Sequence, residues 1–350
     1  MQTCTWAPTT TLRAKLFRKG DPSLATTVDQ TELMQAGGGS ELTAAFQESV
    51  GALDGLIDNL LVPQRWYGTA NNGPSSFDVF AMSTLFAACT TKMKIISAIH
   101  PGFTLPAVVA KWGATMDRLS GGRWGINVVS GWKVSEFASF GADLVSHDDR
   151  YARSAEFIDI LRRAWSSESV AYQGEYYSVD DLIIDPGPLG ELEVFQGGQS
   201  EAAMEMGAKH SDWMFLNGGS PEKIEGIITQ VRKRAANEGR EVRFAVTASP
   251  VCRSTDKAAW NEIDTMVGAI DWDAVNSRRK MTDSVGMWSD WDSKLAALDM
   301  NEGYATGLIG SPDTILTKVE ELKEIGVGML HLSLGDPAFN RHVLPHLHAV

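Results

Sequence analysis

Cysteine is scarce in this chain: Cys4, Cys89 and Cys252 are the three in 350 residues, and no two are spaced as CxxC. An odd, scattered set builds neither a disulfide framework nor a zinc site, and it fits a reducing compartment. Basic residues are outnumbered, 31 against 44 acidic, for a net charge of -13. Lys and Arg stand singly or in pairs, which leaves no electrostatic footprint for nucleic acid or an anionic membrane. No apolar run reaches the length of a membrane span, and the start, MQTCTWAPTTTLRAKLFRKG, has no apolar stretch of signal-peptide length. A cytoplasmic protein is expected. A GxSxG elbow, an HExxH helix and paired carboxylates at a recognisable spacing are all missing. Hydrolysis by a nucleophile or a metal is therefore disfavoured, and no metal site is expected.

What the chain does have is alternation. Short apolar, β-branched runs (TCTW, NLLVPQ, MKIISAIH, RWGINVVS, ELEVFQGG, DWMFLN, VRFAVTASPV and GMLHLSL) are separated by stretches with helical spacing, such as Val109, Trp112, Met116 and Leu119, or Ile224, Ile228 and Val231. Eight strands buried on both faces, each separated by helices, predict a (β/α)8 barrel; an open doubly wound sheet is the runner-up. The length suits a single α/β domain over residues 1–350 with no second core. Residues 18–40, ending in AGGGS, read as a lid or mobile loop, and 166–191 and 252–309 read as insertions, the latter before the last strand.

In such a barrel the loops after the strands converge on one mouth. Those ends read VPQRWYG, IHPG, NVVSGW, QGGQS and NGGS. This mouth is rich in Gly, Ser and aromatics and poor in nucleophiles, which points to a bound cofactor carrying the chemistry. GGQS between a strand and a helix starting near Glu201 forms a phosphate cradle or a plain capped turn. Arg150 and Tyr151 open another helix and offer a cation and a phenol, or a surface Arg and an amphipathic Tyr.

The run SGGRWGINVVSGWKVSEFASFGADLVSHDDRYARSAEFIDILRRAW, followed by EVFQGGQSEAA, resembles the bacterial luciferase-like, flavin-dependent monooxygenases. The resembling branch acts on dimethylsulfone, alkanesulfonates and pyrimidines, and NVVSGW with SHDDRYARSAEFI is most similar to its dimethylsulfone members. The likeness runs from about residue 41 to the end.

The resemblance implies a barrel binding FMN, as reduced FMNH2 with O2 as co-substrate, in the oxygenase half of a two-component system. A separate NAD(P)H-dependent flavin reductase and a homo-oligomer, dimer or tetramer, come with it. It places Asn127, Ser130, Glu136, Arg150, Tyr151, Gly198, Gln199 and Ser200 at the flavin. His100 and Trp132 are the catalytic candidates, with a backbone-bonded structural His the alternative for His100. Trp66, Tyr67 and Phe103 are the substrate candidates, with plain core packing their alternative. Where the sulfonate-oxidising branch carries Arg and His on strand seven, this chain has Thr247 and Ser249. The expected pocket is accordingly neutral and aromatic, and the expected reaction is oxidation of a small neutral organosulfur molecule with carbon–sulfur cleavage. F420-dependent hydride transfer, a pyrimidine or heterocycle oxygenase, and a non-catalytic flavin-binding paralogue are the competing functions.

Overall fold

The computed structural model describes residues 1–9, 39–66, 76–166, 168–273, 275–276, 294–298 and 303–349. All eight expected strands are present: β1 (Gln2–Trp6), β2 (Asn59–Val62), β3 (Lys94–Ile99), β4 (Trp124–Val128), β7 (Glu193–Gly197), β8 (Trp213–Leu216), β9 (Arg243–Ala248) and β12 (Val327–Leu332). They pair in parallel and close a barrel in the order β1-β12-β9-β8-β7-β4-β3-β2. The first insertion folds as an antiparallel hairpin, β5 (Val170–Gln173) with β6 (Ser178–Leu182), and the second is clamped by a short parallel pair, β10 (Val251–Cys252) with β11 (Ile309–Gly310).

The chain alternates strands with helices α1 (Ser40–Gly51), α2 (Val79–Cys89), α3 (Pro106–Ser120), α4 (Val134–Ser139), α5 (His147–Trp165), α6 (Glu201–His210), α7 (Pro221–Asn237), α8 (Asp256–Gly268), α9 (Pro312–Glu324) and α10 (Pro337–His342). Two differences from expectation have local causes. The helix expected from residue 150 starts a turn earlier, because Ser146 caps it by accepting from the Asp149 amide. The loop after β4 contains the single-turn helix α4, too short to show a period. The second insertion also has its own apolar cluster, built on Val251, Ala259, Ile263, Tyr304 and Ile309 and separate from the main core. This small cluster sits inside the second insertion, while Cys252 of β10 packs in the main core. The expected lid at 18–40 lies outside the described residues apart from its last two.

Side chains alternate across each strand, so every second residue points into the barrel. One inward layer is apolar: Cys4, Leu61, Ile96, Phe195, Trp213, Phe215, Ala245 and Met329. Gly125 belongs to it, because a Cβ there would stand 3.0 Å from the Phe195 ring. Below that layer Glu193 is tied to Lys94, Arg243 and Trp213, which closes the amino-terminal end. Two residues further along each strand, at Trp6, Ala98, Asn127, Thr247 and His331, the filling stops and a cavity begins.

Candidate active site

The cavity has a volume of about 230 Å³, small on the usual scale of roughly 300 to 1,000 Å³ for ligand pockets. Its floor is made by inward strand residues, and its rim by the loops after β2, β3, β4 and β7 together with α5. Asn127 reaches it because Gly125, one inward step before, yields its space to Phe195, and Asn127 is the next inward residue on β4.

After β4 the chain turns at Gly131, with φ +99°, where a Cβ would lie 2.6 Å from the Phe137 ring. Only glycine takes this turn without strain, and the turn brings Trp132 back to the cavity. Ser130 is held from behind. Ser154 Oγ donates to the Arg150 carbonyl at 2.8 Å, so the 2.9 Å contact between the two serine hydroxyls is a donation from Ser130. Its proton is committed, and Ser130 presents only a lone pair to the cavity.

On the opposite rim, Gly198 has φ +137°, and a Cβ would meet Ala203 Cβ at 2.8 Å and the Tyr151 hydroxyl at 2.9 Å. The backbone thus passes directly between Tyr151 and the start of α6. Ser200 caps that helix by accepting from the Ala203 amide, and its side chain is hydrogen-bonded to Tyr151. Gln199 donates to the Asn217 carbonyl at 3.1 Å, which ties this loop to the end of β8.

Of the residues singled out in the sequence, Asn127, Ser130, Glu136, Tyr151, Gly198, Gln199, His100 and Trp132 line the cavity. Ser200 stands one step back, reached through Tyr151. Arg150 is buried behind the β4 loop, donating to the Val145 carbonyl, and does not line the cavity. Trp66 and Phe103 also stand apart from it: their rings pack on each other at 5.2 Å and on Phe140, forming an aromatic cluster beside the rim. Tyr67 lies outside the described residues.

The expectation of a neutral, aromatic pocket needs correction. Arg65, at the end of the β2 strand run, lines the cavity with its guanidinium carbon 5.0 Å from the centre of the Trp132 ring. Its charge is countered by buried Glu136, which also has Lys133 at 3.6 Å. Among the described residues the wall therefore carries one cation and one anion, with Lys133 behind Glu136. Burial, reinforced by Arg65, pushes His100 down to about 3, and burial alone does the same to His331, so both imidazoles are neutral near pH 7. His331, Trp6, Gln64 and Arg65 belong to no motif and were not singled out as site residues.

Four side-chain atoms on this one cavity, Asn127 Oδ1, His100 Nδ1, Arg65 Nη1 and His331 Nε2, are buried without a hydrogen-bond partner among the described residues. Buried polar atoms are rarely left this way, and the residues that carry these four line one cavity, which makes it the candidate ligand site. Among the described residues no group of three or more His, Cys, Asp or Glu could hold a metal ion, and no helix is long and apolar enough to cross a membrane.

Comparison with known proteins identifies the class. The family model of the luciferase-like monooxygenases matches residues 57–328. The chain is 37% identical over 278 residues to an FMNH2-dependent dimethylsulfone monooxygenase of Pseudomonas fluorescens (strain Pf0-1), covering 76% of each chain. It is 37% identical over 294 residues to one from Pseudomonas putida, covering 80% of each. The solved structure of DmoA from Hyphomicrobium sulfonivorans superposes with a TM-score of 0.75 at 19% identity, over 100% of this chain and 88% of that one. EDTA monooxygenase from Chelativorans sp. BNC1 gives 0.76 at 16%, over 100% and 94%. The chain belongs to the luciferase-like monooxygenase family.

Proposed function

We propose that this protein is an FMNH2-dependent monooxygenase that oxidises a small neutral organosulfur molecule of the sulfone class, with carbon–sulfur cleavage. The observation that carries this reading is the set of four buried, partnerless polar atoms on one cavity of a luciferase-like barrel. A flavin ring system has polar atoms along one edge and a flat apolar body, which is what such a wall accepts. The two dimethylsulfone-oxidising relatives give the substrate class.

The residues present suit the cofactor. The Asn127 amide would hold the polar edge of the ring. The close backbone approach at Gly198 leaves room beside Tyr151. The Tyr151 hydroxyl, Ser200 and the first-turn amides of α6 would hold the phosphate, where a helix start favours an anion. Arg150 supports this wall from behind, holding the segment before α5 through Val145. Bound reduced FMN supplies the electrons with which O2 is activated, one oxygen atom going to the substrate and the other to water.

The chain's own part is to position and to exclude water. Trp132 and Arg65 cover the rim, and His100, neutral and with a partnerless Nδ1, offers a hydrogen bond close to the substrate without a charge. Glu136 offsets part of the Arg65 charge while also pairing with Lys133, so among the described residues the wall offers an anionic sulfonate no cation free of a carboxylate partner.

The reduced flavin comes from a separate NAD(P)H-dependent reductase, as the FMNH2 dependence named for the relatives implies. A homo-oligomer is supported by the exposed Leu105, Val108 and Leu119 in and beside α3. The test is an oxygen electrode with purified protein, a generic flavin reductase and dimethylsulfone. Sulfone-dependent oxygen uptake with FMN supports the reading; uptake indifferent to the sulfone, or hydride transfer with F420 in place of FMN, contradicts it.

A further inference from the structure

The floor of the cavity differs chemically from its rim. Trp6, Leu61, Ala98 and Phe215 make it apolar, and His331 stands among them on β12 with Thr247 beside it in register on β9. The His331 ring is wedged, with the Trp6 ring 4.5 Å away at 63° and the Phe215 ring 5.5 Å away at 61°. It is 3% exposed, and its Nε2 has no hydrogen-bond partner among the described residues. The residues that suit the flavin (Asn127, Tyr151, Gly198 and Ser200) belong to β4, α5 and the β7–α6 loop, whereas His331 belongs to the β12 and β1 side of the barrel.

A fixed imidazole with a partnerless nitrogen on an apolar floor is a built hydrogen-bonding site. We infer that His331 is a specificity-determining residue that hydrogen-bonds the polar end of the substrate on the barrel floor, while Trp6, Leu61 and Phe215 take its alkyl part. The ligand class is a small uncharged molecule with one compact hydrogen-bonding group and short alkyl arms, such as a dialkyl sulfone. A charged head is refused there, because Arg65 sits at the rim and the floor offers no cation. Burial keeps the imidazole neutral down to a pH of about 3, consistent with a neutral partner. The inference deepens the proposed monooxygenase function for its reaction, but the binding step stands independently of turnover.

The test uses dimethyl sulfone as the probe and reads binding separately from catalysis. Calorimetry gives the sulfone affinity, flavin fluorescence gives the FMN affinity, and both are measured on wild type, His331→Leu and His331→Gln. We expect His331→Leu to weaken sulfone binding by tenfold or more, His331→Gln to restore part of it, and FMN affinity to stay within twofold throughout. On wild-type protein, the imidazole 15N signal that disappears in His331→Gln should shift when sulfone is added, a reading that needs no stable Leu variant. Equal sulfone affinity in wild type and a folded His331→Leu, an unmoved 15N signal, or an FMN affinity that falls with the sulfone affinity overturns the inference. Sulfone binding that depends on His331 without any oxygen uptake would sustain the site and remove the monooxygenase reading instead.

Discussion

The Arg65 guanidinium lies over the face of Trp132, 5.0 Å from the ring centre, with Glu136 supplying the opposite charge. Stacking on an aromatic face holds the cation in place, and Glu136, shared with Lys133, offsets part of its field. A neutral substrate should therefore outperform an alkanesulfonate of similar size by at least about tenfold in kcat/KM, or about 1.4 kcal/mol. Glu136→Gln leaves Arg65 uncompensated, and the sulfonate-to-sulfone ratio of kcat/KM should rise. Steady-state kinetics with matched substrate pairs checks both, and an unchanged ratio in Glu136→Gln would remove Arg65 from the specificity argument.

The phosphate end of the flavin site rests on Tyr151 and Ser200. Hydrogen bonds to a charged group contribute roughly 1.5 to 3 kcal/mol each, so Tyr151→Phe and Ser200→Ala should each weaken FMN binding by about tenfold or more in fluorescence titrations. Arg150→Ala should weaken it too, but with a drop in Tm, because Arg150 is buried structure behind the loop and not part of the cavity wall.

The two buried histidines give the folded state an acid weakness. Each has its pKa lowered from 6.5 to about 3, so below pH 6.5 the unfolded chain binds protons that the native chain does not. Stability is then highest above pH 6.5 and falls as pH drops toward 3, by at most about 1.4 kcal/mol per pH unit per histidine. Urea unfolding of wild type and of His100→Gln with His331→Gln should show a shallower decline between pH 6.5 and 4 in the double variant. Parallel declines would mean that these imidazoles are already protonated in the native protein.

Gly131→Ala should be costly out of proportion to one methyl group. The residue needs φ +99°, and the added carbon would meet Phe137 at 2.6 Å. Strain at such a position typically costs on the order of 1 to 3 kcal/mol, and Trp132 would be turned from the rim. A lower Tm with weakened flavin binding is expected; a neutral Ala variant would show that the β4 loop can reroute.

The eight strands were legible because each is an apolar run bounded by turn residues. The site was legible where residues sit in a motif, as with Asn127 in NVVSGW and Gly198 in GGQS. It failed for His331, which follows Met329 by two on a strand apolar on both faces. With both faces apolar, sequence alone does not reveal which parity points inward. Trp66 and Phe103 do not line the cavity among the described residues, and aromatic composition does not separate a pocket wall from a cluster packed beside it. Arg65 was passed over as a site residue because its compensation by Glu136 is a contact between distant segments.

The proposed function requires this cavity to couple reduced FMN and O2 to sulfone oxidation. The most direct measurement mixes protein loaded anaerobically with reduced FMN and dimethyl sulfone with oxygenated buffer, then quantifies sulfone consumed and hydrogen peroxide released in a single turnover. Sulfone loss should match the bound reduced flavin, with peroxide correspondingly suppressed. Recovery of all the flavin's electrons as hydrogen peroxide, with the sulfone intact, would contradict it.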